Sequence, residues 1–319
     1  MNHPTAPATV SKTATPRPIL GLGAVAVDDL IYVEAYPNAD AKVRVLDTAR
    51  QCGGLTATAL VAAARLGVSC TYAGVLGTDD FSEFAAAQMK REGIDLRHAQ
   101  HLPTAAIYHS YIVVGALENS RTIFSDGRQV IGAAEDWPPA EVIQSCSVLF
   151  VDHVGIPGML RAARIAAAAG IPIVSDLERV SGPGFEALMP LIDHFIVSQD
   201  FASELTGEKS PENAVRQLAQ RSRGIVAVTA GARGCWYGGA NTPELVDYQP
   251  SYPVKVVDTT GCGDVFHGAY AAGLALGKPV RERFQMAAAA AALKATQPGG
   301  QAGAPSRTQL EEFLANRNE

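Results

Sequence analysis

Residues 255–270 read KVVDTTGCGDVFHGAY, with a polar, glycine-rich turn between an apolar, strand-like run and a helix-like run. The pattern predicts a strand, a turn and a helix, with Asp264 in the first helical turn. Gly261 and Gly263 lack side chains, so backbone N–H groups at the start of the helix can approach an anion. A carboxylate would compete with that anion, so Asp264 needs a separate task.

Accepting the proton of a hydroxyl group that attacks a phosphoryl group is one such task for Asp264. A carboxylate beside an anion hole of backbone amides would provide both the base and the charge stabilisation that phosphoryl transfer needs. A helix N-cap after a flexible turn explains the same residues without any chemistry. Cys262 lies where a thiol pKa is lowered, but the sequence shows no partner for it, and the turn needs only a small residue there.

The rest of the chain alternates strand-like and helix-like runs, from ILGLGAVAVDDLIYV at 19–33 to GIVAVTAG at 224–231. Glycines follow the predicted helices at positions 67, 93 and 170, as helix C-caps do. The alternation predicts an α/β fold with a mostly parallel sheet covered by helices on both faces.

Two segments, 42–51 and 105–124, break this alternation because they have strand composition without an intervening helix. They predict a small β appendage, with strands drawn from about 29–52 and 104–125. The polar, proline-rich residues 1–17 predict a flexible tail before one main domain of residues 18–319.

Composition argues against several classes of function. The 319 residues are 47% hydrophobic and carry a net charge of -6 without a basic block, so we expect a substantial core and no nucleic acid partner. The five scattered cysteines favour a reducing cytoplasm over a disulfide framework or a zinc site. The apolar run at 285–295 is shorter than the ~20 residues of a membrane span, so no membrane partner is expected.

Glycine-rich clusters also follow other predicted strands, where open α/β sheets bind ligands. GLGAVA at 21–26 is an incomplete dinucleotide fingerprint, which keeps an NAD-type oxidoreductase as an alternative function, although no helix intervenes before Asp40 and Asp47. The same strand leads to Asp28, whose carboxylate would suit a sugar hydroxyl.

Gly53 and Gly54 precede a helix with Thr58 near its start, which predicts either backbone approach to a polar ligand or a tight turn with a threonine cap. The segment TAGARG at 229–234 predicts either a turn that lines a nucleotide or a hairpin loop.

Together and in this order, these clusters resemble those of the ribokinase, or phosphofructokinase-B, family of sugar kinases over about residues 18–319. The specific motif is DTTGCGDVFHGA at 258–269. The resemblance implies a three-layer α/β/α sandwich with a small β-sheet lid. It also implies transfer of the γ-phosphate of ATP, with Mg²⁺, to a hydroxyl of a small carbohydrate, for which a ketose or ketose derivative is favoured.

The resemblance assigns roles to matched residues. Asp264 matches the catalytic base, and Gly261, Cys262 and Gly263 match the anion hole, with the cysteine where alanine is usual. Asp258 and Thr260 match positions near a monovalent cation, so K⁺ is a further predicted cofactor. The predicted sugar-binding residues are Asp28, Gly53, Gly54, Thr58 and His153, and the predicted nucleotide-binding residues are Thr229, Gly231 and Gly234.

The chain also departs from the family pattern. Thr58 replaces a usual asparagine, and Ser198 and Phe201 replace the asparagine and glutamate of a motif that helps to organise magnesium. Asp176 and Glu178, at another strand end, are the predicted substitutes, with Glu178 as the Mg²⁺ ligand. The altered motif leaves open a third function, a non-catalytic nucleotide or sugar sensor on a kinase fold.

Within the family, the late motif and the segment ALKATQPGGQAGAP at 292–305 resemble the sulfofructose kinase branch most closely. His153 stands where that branch carries arginine, which leaves the sugar open. A sulfonated or phosphorylated sugar would need cationic partners, although a solvated rim explains the same charges. The cationic side chains near the predicted lid are Lys42, Arg44, Arg121 and Arg128. Exposed lid strands also predict a homodimer.

Overall fold

The computed structural model describes residues 17–117 and 120–317. Residues 1–16 of the predicted tail therefore lie outside the described residues. The last residue of that predicted tail, Arg17, donates hydrogen bonds from its guanidinium group to the carbonyl oxygens of Gln144 and Ser145. The strands are β1 (Ile19–Gly21), β2 (Ala26–Val33), β3 (Asp47–Gly53), β4 (Cys70–Tyr72), β5 (Val75–Leu76), β6 (Gln100–His101), β7 (Tyr108–Gly115), β8 (Ser120–Asp126), β9 (Val148–Asp152), β10 (Ile173–Asp176), β11 (His194–Ser198), β12 (Ile225–Thr229), β13 (Cys235–Gly239) and β14 (Thr242–Gln249). The helices are α1 (Leu55–Arg65), α2 (Asp80–Arg91), α3 (Ala140–Gln144), α4 (Ile156–Ala168), α5 (Phe185–Leu188), α6 (Gln199–Thr206), α7 (Pro211–Ala219), α8 (Cys262–Ala275), α9 (Val280–Ala295) and α10 (Arg307–Ala315).

The central sheet has eight strands in the order β14-β13-β12-β11-β10-β9-β1-β4. The strands from β12 to β4 run parallel, whereas β13 and β14 continue the sheet in antiparallel fashion. The connections between parallel strands carry helices, as such strands require. The carboxyl ends of the parallel strands therefore lie along one edge of the sheet, where open α/β sheets bind ligands.

Strand β9 shows why the sheet is covered on both faces. All five of its residues are buried. Val148 and Phe150 pack into the core beneath α1, α8 and α9, whereas Leu149 and Val151 pack into the core on the opposite face, beneath α4 and α7. A continuous apolar run is what a strand buried on both faces requires. The predicted three-layer α/β/α sandwich is confirmed.

A second sheet of four strands, in the order β3-β2-β7-β8, stands apart from the central sheet. Strands β2 and β7 are parallel, and the two outer pairs are antiparallel. The predicted strand at 42–51 begins only at Asp47, because residues 41–46 are exposed and irregular. The predicted opening strand at 19–33 is two strands, since β1 belongs to the central sheet and β2 to the second one.

The predicted strand before the DTTGCGD turn is wrong. Residues 250–257 run as irregular chain, and the backbone N–H groups of Val257 and Asp258 donate to the carbonyl oxygen of Ala295 at the end of α9. The turn is therefore anchored to a helix end and not to the sheet. None of the helices in the described ranges combines the length and apolar character that a membrane span requires.

Candidate active site

The N-terminus of α8 is an uncapped helix end that opens into a cleft. Gly261 is the N-cap, with a φ of 75°, and among the described residues no side chain caps this end. A Cβ at Gly261 would lie 2.7 Å from the carbonyl oxygen of Gly300, so only glycine fits. Gly263 is exposed, and a Cβ there would enter open space. The Cys262 N–H donates to the carbonyl oxygen of Thr259 at 3.2 Å, whereas the N–H groups that follow it at the uncapped start of α8 are accessible to an anion.

Asp264 lies in the first turn of α8, as predicted, and its side chain is partly exposed at the cleft floor. Protein atoms surround the carboxyl group closely enough that desolvation is the main cause of a pKa well above the ordinary value. The negative charges of Asp176 and Glu178 raise the pKa further. A carboxylate with a raised pKa accepts a proton more readily, which suits a general base.

Asp176 ends β10 and is paired in register with Asp152 at the end of β9. Burial raises the pKa of Asp176 well above its ordinary value, and the charges of Glu178 and Asp152 add to this effect. Its Oδ2 lies 3.3 Å from Nδ1 of His267 but lacks a hydrogen-bond partner within the described ranges. The His267 Nδ1 instead bonds the carbonyl oxygen of Gly263 at 2.8 Å. The Asp176 oxygen is thus available to a cation.

Asp152 is a functional candidate that the sequence analysis missed. Its carboxylate is fully buried and accepts hydrogen bonds from Ala24 N (2.6 Å), Thr56 Oγ1 (2.7 Å) and Val154 N (2.8 Å). It therefore joins the β1–β2 loop, the start of α1 and the loop after β9 at the carboxyl edge of the sheet. The available signal was an acidic residue at the end of the apolar run VLFVD, directly before His153.

The predicted sugar-binding residues Asp28, Gly53 and Gly54 lie together. A Cβ at Gly53 would lie 3.1 Å from Oδ2 of Asp28, and a Cβ at Gly54 would lie 2.6 Å from the carbonyl oxygen of Ala24. Asp28 is the third residue of β2 and does not end the strand as predicted. Burial raises the pKa of Asp28, while a hydrogen bond with Ser110 opposes the rise.

Thr58 and His153 are both buried. Thr58 is fully enclosed, and its hydroxyl accepts a hydrogen bond from Nε2 of the buried Gln301 at 3.3 Å, so the hydroxyl is not exposed to the cleft. Burial lowers the pKa of His153 to about 4, which keeps the imidazole neutral at pH 7. Its Nδ1 has no partner in the described part of the chain and is free to bond a ligand.

A cavity of about 530 Å³ lies beside the start of α8. The β12–β13 turn lines it with Thr229, Gly231 and Gly234, and because β12 and β13 are antiparallel this turn is also a hairpin loop. The hairpin interpretation of TAGARG is confirmed, and contact of this turn with a nucleotide stays a prediction. The opposite walls are mostly apolar and include Tyr252, Pro253, Val254, Val256, Phe266, Ala288, Ala291, Ala292 and Ala295. A smaller cavity of about 260 Å³ lies at the amino ends of β1 and β9, far from these residues.

At the predicted monovalent cation site, the side-chain oxygen atoms of Asp258 and Thr260 already take part in hydrogen bonds. The Asp258 carboxylate accepts the backbone N–H groups of Thr260 and Gly299, both at 2.8 Å, and the Thr260 hydroxyl accepts a hydrogen bond from Arg121. Glu178 is exposed and close enough to raise the pKa of Asp176 and Asp264. Across residues 17–117 and 120–317, no group of three or more His, Cys, Asp or Glu side chains is arranged to hold a metal.

The altered magnesium motif has a structural explanation. Ser198 is the N-cap of α6, and its Oγ accepts a hydrogen bond from the Phe201 N–H at 3.2 Å. Phe201 is buried and packs against Phe185 with ring centroids 6.2 Å apart. These two positions therefore support a helix end and the core.

The cationic side chains near the second sheet do not converge. Arg128 pairs with Asp126 at 2.6 Å, whereas Lys42 and Arg44 are exposed in the irregular segment before β3. Arg121 turns toward the start of α8, where it lies 3.8 Å from the Asp258 carboxylate. Among the described residues, these four side chains therefore do not form a shared cationic site for a sulfonate or phosphate.

The dinucleotide interpretation of GLGAVA is wrong, and a nucleophilic role for Cys262 gains no support. The GLGAVA segment leads from β1 directly into β2 and opens no helix, so it is not a dinucleotide fingerprint. A side chain at Gly23 would collide with the Asp152 carboxylate, which explains this glycine by packing. Burial raises the pKa of Cys262, which supports a small filler residue and argues against a nucleophile.

Comparisons with known proteins agree with this geometry. The pattern of the pfkB family carbohydrate kinases matches residues 22–307. The ribokinase of Haemophilus influenzae is 26% identical over 304 residues, which cover 92% of this chain and 97% of the relative. The structure of Arabidopsis thaliana ribokinase complexed with ribose and ATP has a TM-score of 0.84 at 22% identity, and the match covers 94% of this chain and 99% of that one. An Escherichia coli protein solved with ATP and Mg²⁺ has a TM-score of 0.81 at 21% identity, covering 94% of this chain and 100% of that one. The predicted carbohydrate kinase is confirmed, and the chain belongs to the pfkB family.

Proposed function

We propose that this protein transfers the γ-phosphoryl group of ATP to a hydroxyl of a small, uncharged sugar, with Asp264 as general base. The observation that carries the proposal is the start of α8, where backbone amides that no described side chain caps adjoin a carboxyl group with a raised pKa. Phosphoryl transfer needs this combination, because the enzyme mainly positions the reactants and stabilises charge.

Two groups of residues flank the start of α8. The cavity beside Cys262 and Gly263 has apolar walls that suit a flat heterocycle, so we assign it to the nucleotide, with Thr229, Gly231 and Gly234 at its polar end. On the other side, Asp28, the Gly53–Gly54 turn and His153 Nδ1 offer polar groups to sugar hydroxyls. Thr58 contributes through Gln301.

In this mechanism the sugar hydroxyl gives its proton to the Asp264 carboxylate while its oxygen attacks the γ-phosphorus, and the bond to ADP breaks. The amides of Gly261, Cys262 and Gly263 stabilise the charge on the transferred group. Mg²⁺, when bound, neutralises phosphate charge. Asp176, whose Oδ2 has no hydrogen-bond partner among the described residues, and Glu178 would hold it, since Mg²⁺ is usually bound by one or two carboxylates together with phosphates and water.

We assign the second sheet as a lid. Arg121 on β8 contacts Thr260, and the Gln51 side chain on β3 lies against Gly299, so this sheet adjoins the turn that leads into α8. Closure would exclude water from the phosphoryl group. On the outer face, the exposed rings of Tyr111 and Phe124 are paired in register, which supports a homodimer through the lid.

The sugar is proposed to be uncharged because Arg121 and Arg128 are already engaged by protein groups. The preference for a ketose stays a prediction, and ribose is its first competitor because relatives are named ribokinases. Action in the cytoplasm also stays a prediction, which the five free cysteines support.

The test is ADP release with ATP, Mg²⁺ and a panel of ketoses, aldoses, nucleosides and sulfonated sugars. Asp264→Asn is expected to lower turnover by about 10²–10⁴-fold with an unchanged fold, because the amide cannot accept the proton. Asp136→Asn, at an exposed aspartate, is the matched control. Near wild-type turnover in Asp264→Asn would refute the base assignment, and ATP and sugar binding without any product would favour the sensor.

A further inference from the structure

Lys294, near the C-terminal end of α9, is completely buried. A buried ammonium group is costly unless it is hydrogen-bonded. Its Nζ donates to the carbonyl oxygen of Asp258 at 2.8 Å and to that of Gln297 at 3.3 Å. Burial lowers the pKa of Lys294, whereas the nearby Asp258 and Asp264 charges oppose this effect.

The lysine joins two loops that shape the start of α8. The first loop, 257–261, leads directly into the helix, and the second, 295–300, lies against it. The Asp258 carboxylate binds the Gly299 N–H at 2.8 Å, and the Val257 N–H binds the Ala295 carbonyl at 2.8 Å. Lys294 adds the only cationic link of this set within the described residues, between the backbone carbonyl groups of Asp258 and Gln297.

A free K⁺ ion does not fit the predicted site at Asp258 and Thr260. A hard cation needs several oxygen ligands at once. The Asp258 carbonyl oxygen is held by the lysine, and its two carboxylate oxygens accept backbone N–H groups. The Thr260 hydroxyl accepts from Arg121. The ammonium group already supplies one positive charge in the same place.

We propose that Lys294 is a tethered monovalent cation that positions the anion hole, so that phosphoryl transfer by this protein needs no K⁺. The inference rests on the proposed kinase activity. An ammonium group is a compact point charge with rotatable donors, so it can bind carbonyl oxygens as a small cation does. Because it is covalently attached, its binding to the loop does not depend on the salt in solution. Lys294 acts through the 258–261 turn and is a positioning residue.

The first measurement uses the unmodified protein. It is exchanged into tetramethylammonium buffer free of K⁺ and NH₄⁺, and turnover is measured while KCl replaces tetramethylammonium chloride at constant ionic strength. Turnover is expected to stay unchanged. The proposal would be overturned if adding K⁺ raised turnover by about tenfold or more, which is the size of effect that loss of a positioning group has.

The variants test the lysine itself. Lys294→Ala leaves room for an ion and is expected to lose about 10–100-fold in turnover, with partial recovery in K⁺ or NH₄⁺ but not in tetramethylammonium. Lys294→Met fills the space without charge and is expected to lose turnover without recovery. Lys90→Ala, at an exposed lysine near the end of α2, is the control. Full turnover in Lys294→Met would overturn the proposal.

A binding readout separates this inference from the proposed activity. In thermal unfolding, K⁺ or NH₄⁺ is expected to raise the melting temperature of Lys294→Ala but not that of the unmodified protein or of Lys294→Met. If no sugar is phosphorylated, the kinase proposal fails, and this measurement alone decides the cation role. Stabilisation of the unmodified protein by K⁺ beyond that by tetramethylammonium would refute the tethered cation.

Discussion

Gly261 and Gly277 offer a matched pair of substitutions at the two ends of α8. Both have left-handed backbone conformations, with φ values of 75° and 70°. They differ in their surroundings, since a Cβ at Gly261 would lie 2.7 Å from the Gly300 carbonyl oxygen, whereas one at Gly277 has no described neighbour within 4 Å. Replacing each with alanine therefore separates the close approach at the proposed anion hole from the backbone strain that both positions share.

The expected magnitudes follow from these distances. The left-handed conformation destabilises either alanine variant by about 1–2 kcal/mol. Gly261→Ala must also move loop 258–261 away from Gly300 by roughly 0.5 Å, and overpacking of this kind adds about 1–3 kcal/mol. A displacement of this order at groups that position a reacting phosphate lowers turnover by about 10–100-fold. Gly277→Ala should keep wild-type turnover, because it lies at the far end of the helix.

The assay combines initial rates of ADP release with thermal unfolding of both variants. At about 2 °C per kcal/mol for a chain of this size, Gly277→Ala should lose roughly 2–4 °C and Gly261→Ala several degrees more. The reasoning is refuted if Gly261→Ala keeps turnover within about threefold of Gly277→Ala, since the anion hole would then tolerate a displacement of this order.

Two further predictions concern buried groups. In Asp152→Asn, an amide N–H group faces one of the N–H or O–H donors that the carboxylate normally binds. The free energy of unfolding should therefore fall by about 1–3 kcal/mol, and KM for the sugar should rise. Unchanged values of both quantities would contradict the role of Asp152 in joining these segments. The pKa of His194 is lowered by burial to about 4, below the ordinary 6.5. Between these pH values the unfolded state binds more protons, so this histidine's contribution to stability is present above pH 6.5 and is lost as the pH falls toward 4. His194→Gln, which can still bond the Tyr270 hydroxyl, should remove up to about 3 kcal/mol of this pH dependence in unfolding measurements across that range; an unaltered slope would contradict the assignment.

The features that the sequence predicted well are those set by local pattern. The central strands are continuous apolar runs, and the predicted helix-ending glycines at 67, 93 and 170 all have positive φ values. The position of Asp264 in the first turn of α8 also follows from local pattern, because a glycine-rich turn precedes an apolar helix.

The predicted strand at 255–257 failed for a physical reason. Apolar residues indicate burial, but the sequence does not say whether the protein or a ligand buries them. Val254 and Val256 line the cavity that we assign to the nucleotide, and Val256 and Val257 are more than half exposed. Their hydrophobicity matches a binding surface instead of the core.

The contacts of Asp152 and Lys294 could not be predicted from the sequence because their partners are distant. The Asp152 carboxylate binds the backbone of Ala24, 128 residues away, and the Lys294 ammonium binds the backbone of Asp258, 36 residues away. Backbone donors and acceptors occur at every position, so no residue type marks them in the sequence.

Buried charges of both signs surround the start of α8. Burial raises the pKa of Asp152, Asp176 and Asp264, whereas it lowers that of Lys294, so each group is less stable charged here than in water. Apolar side chains of similar volume would often be as stable or more so. The strand residues below them, such as Val148 and Phe150, carry no such groups. Among the described residues, these four costly charges gather where the proposed mechanism binds a phosphoryl group, which supports a role in that reaction, and the apolar layers beneath them offset the stability lost at this edge of the sheet.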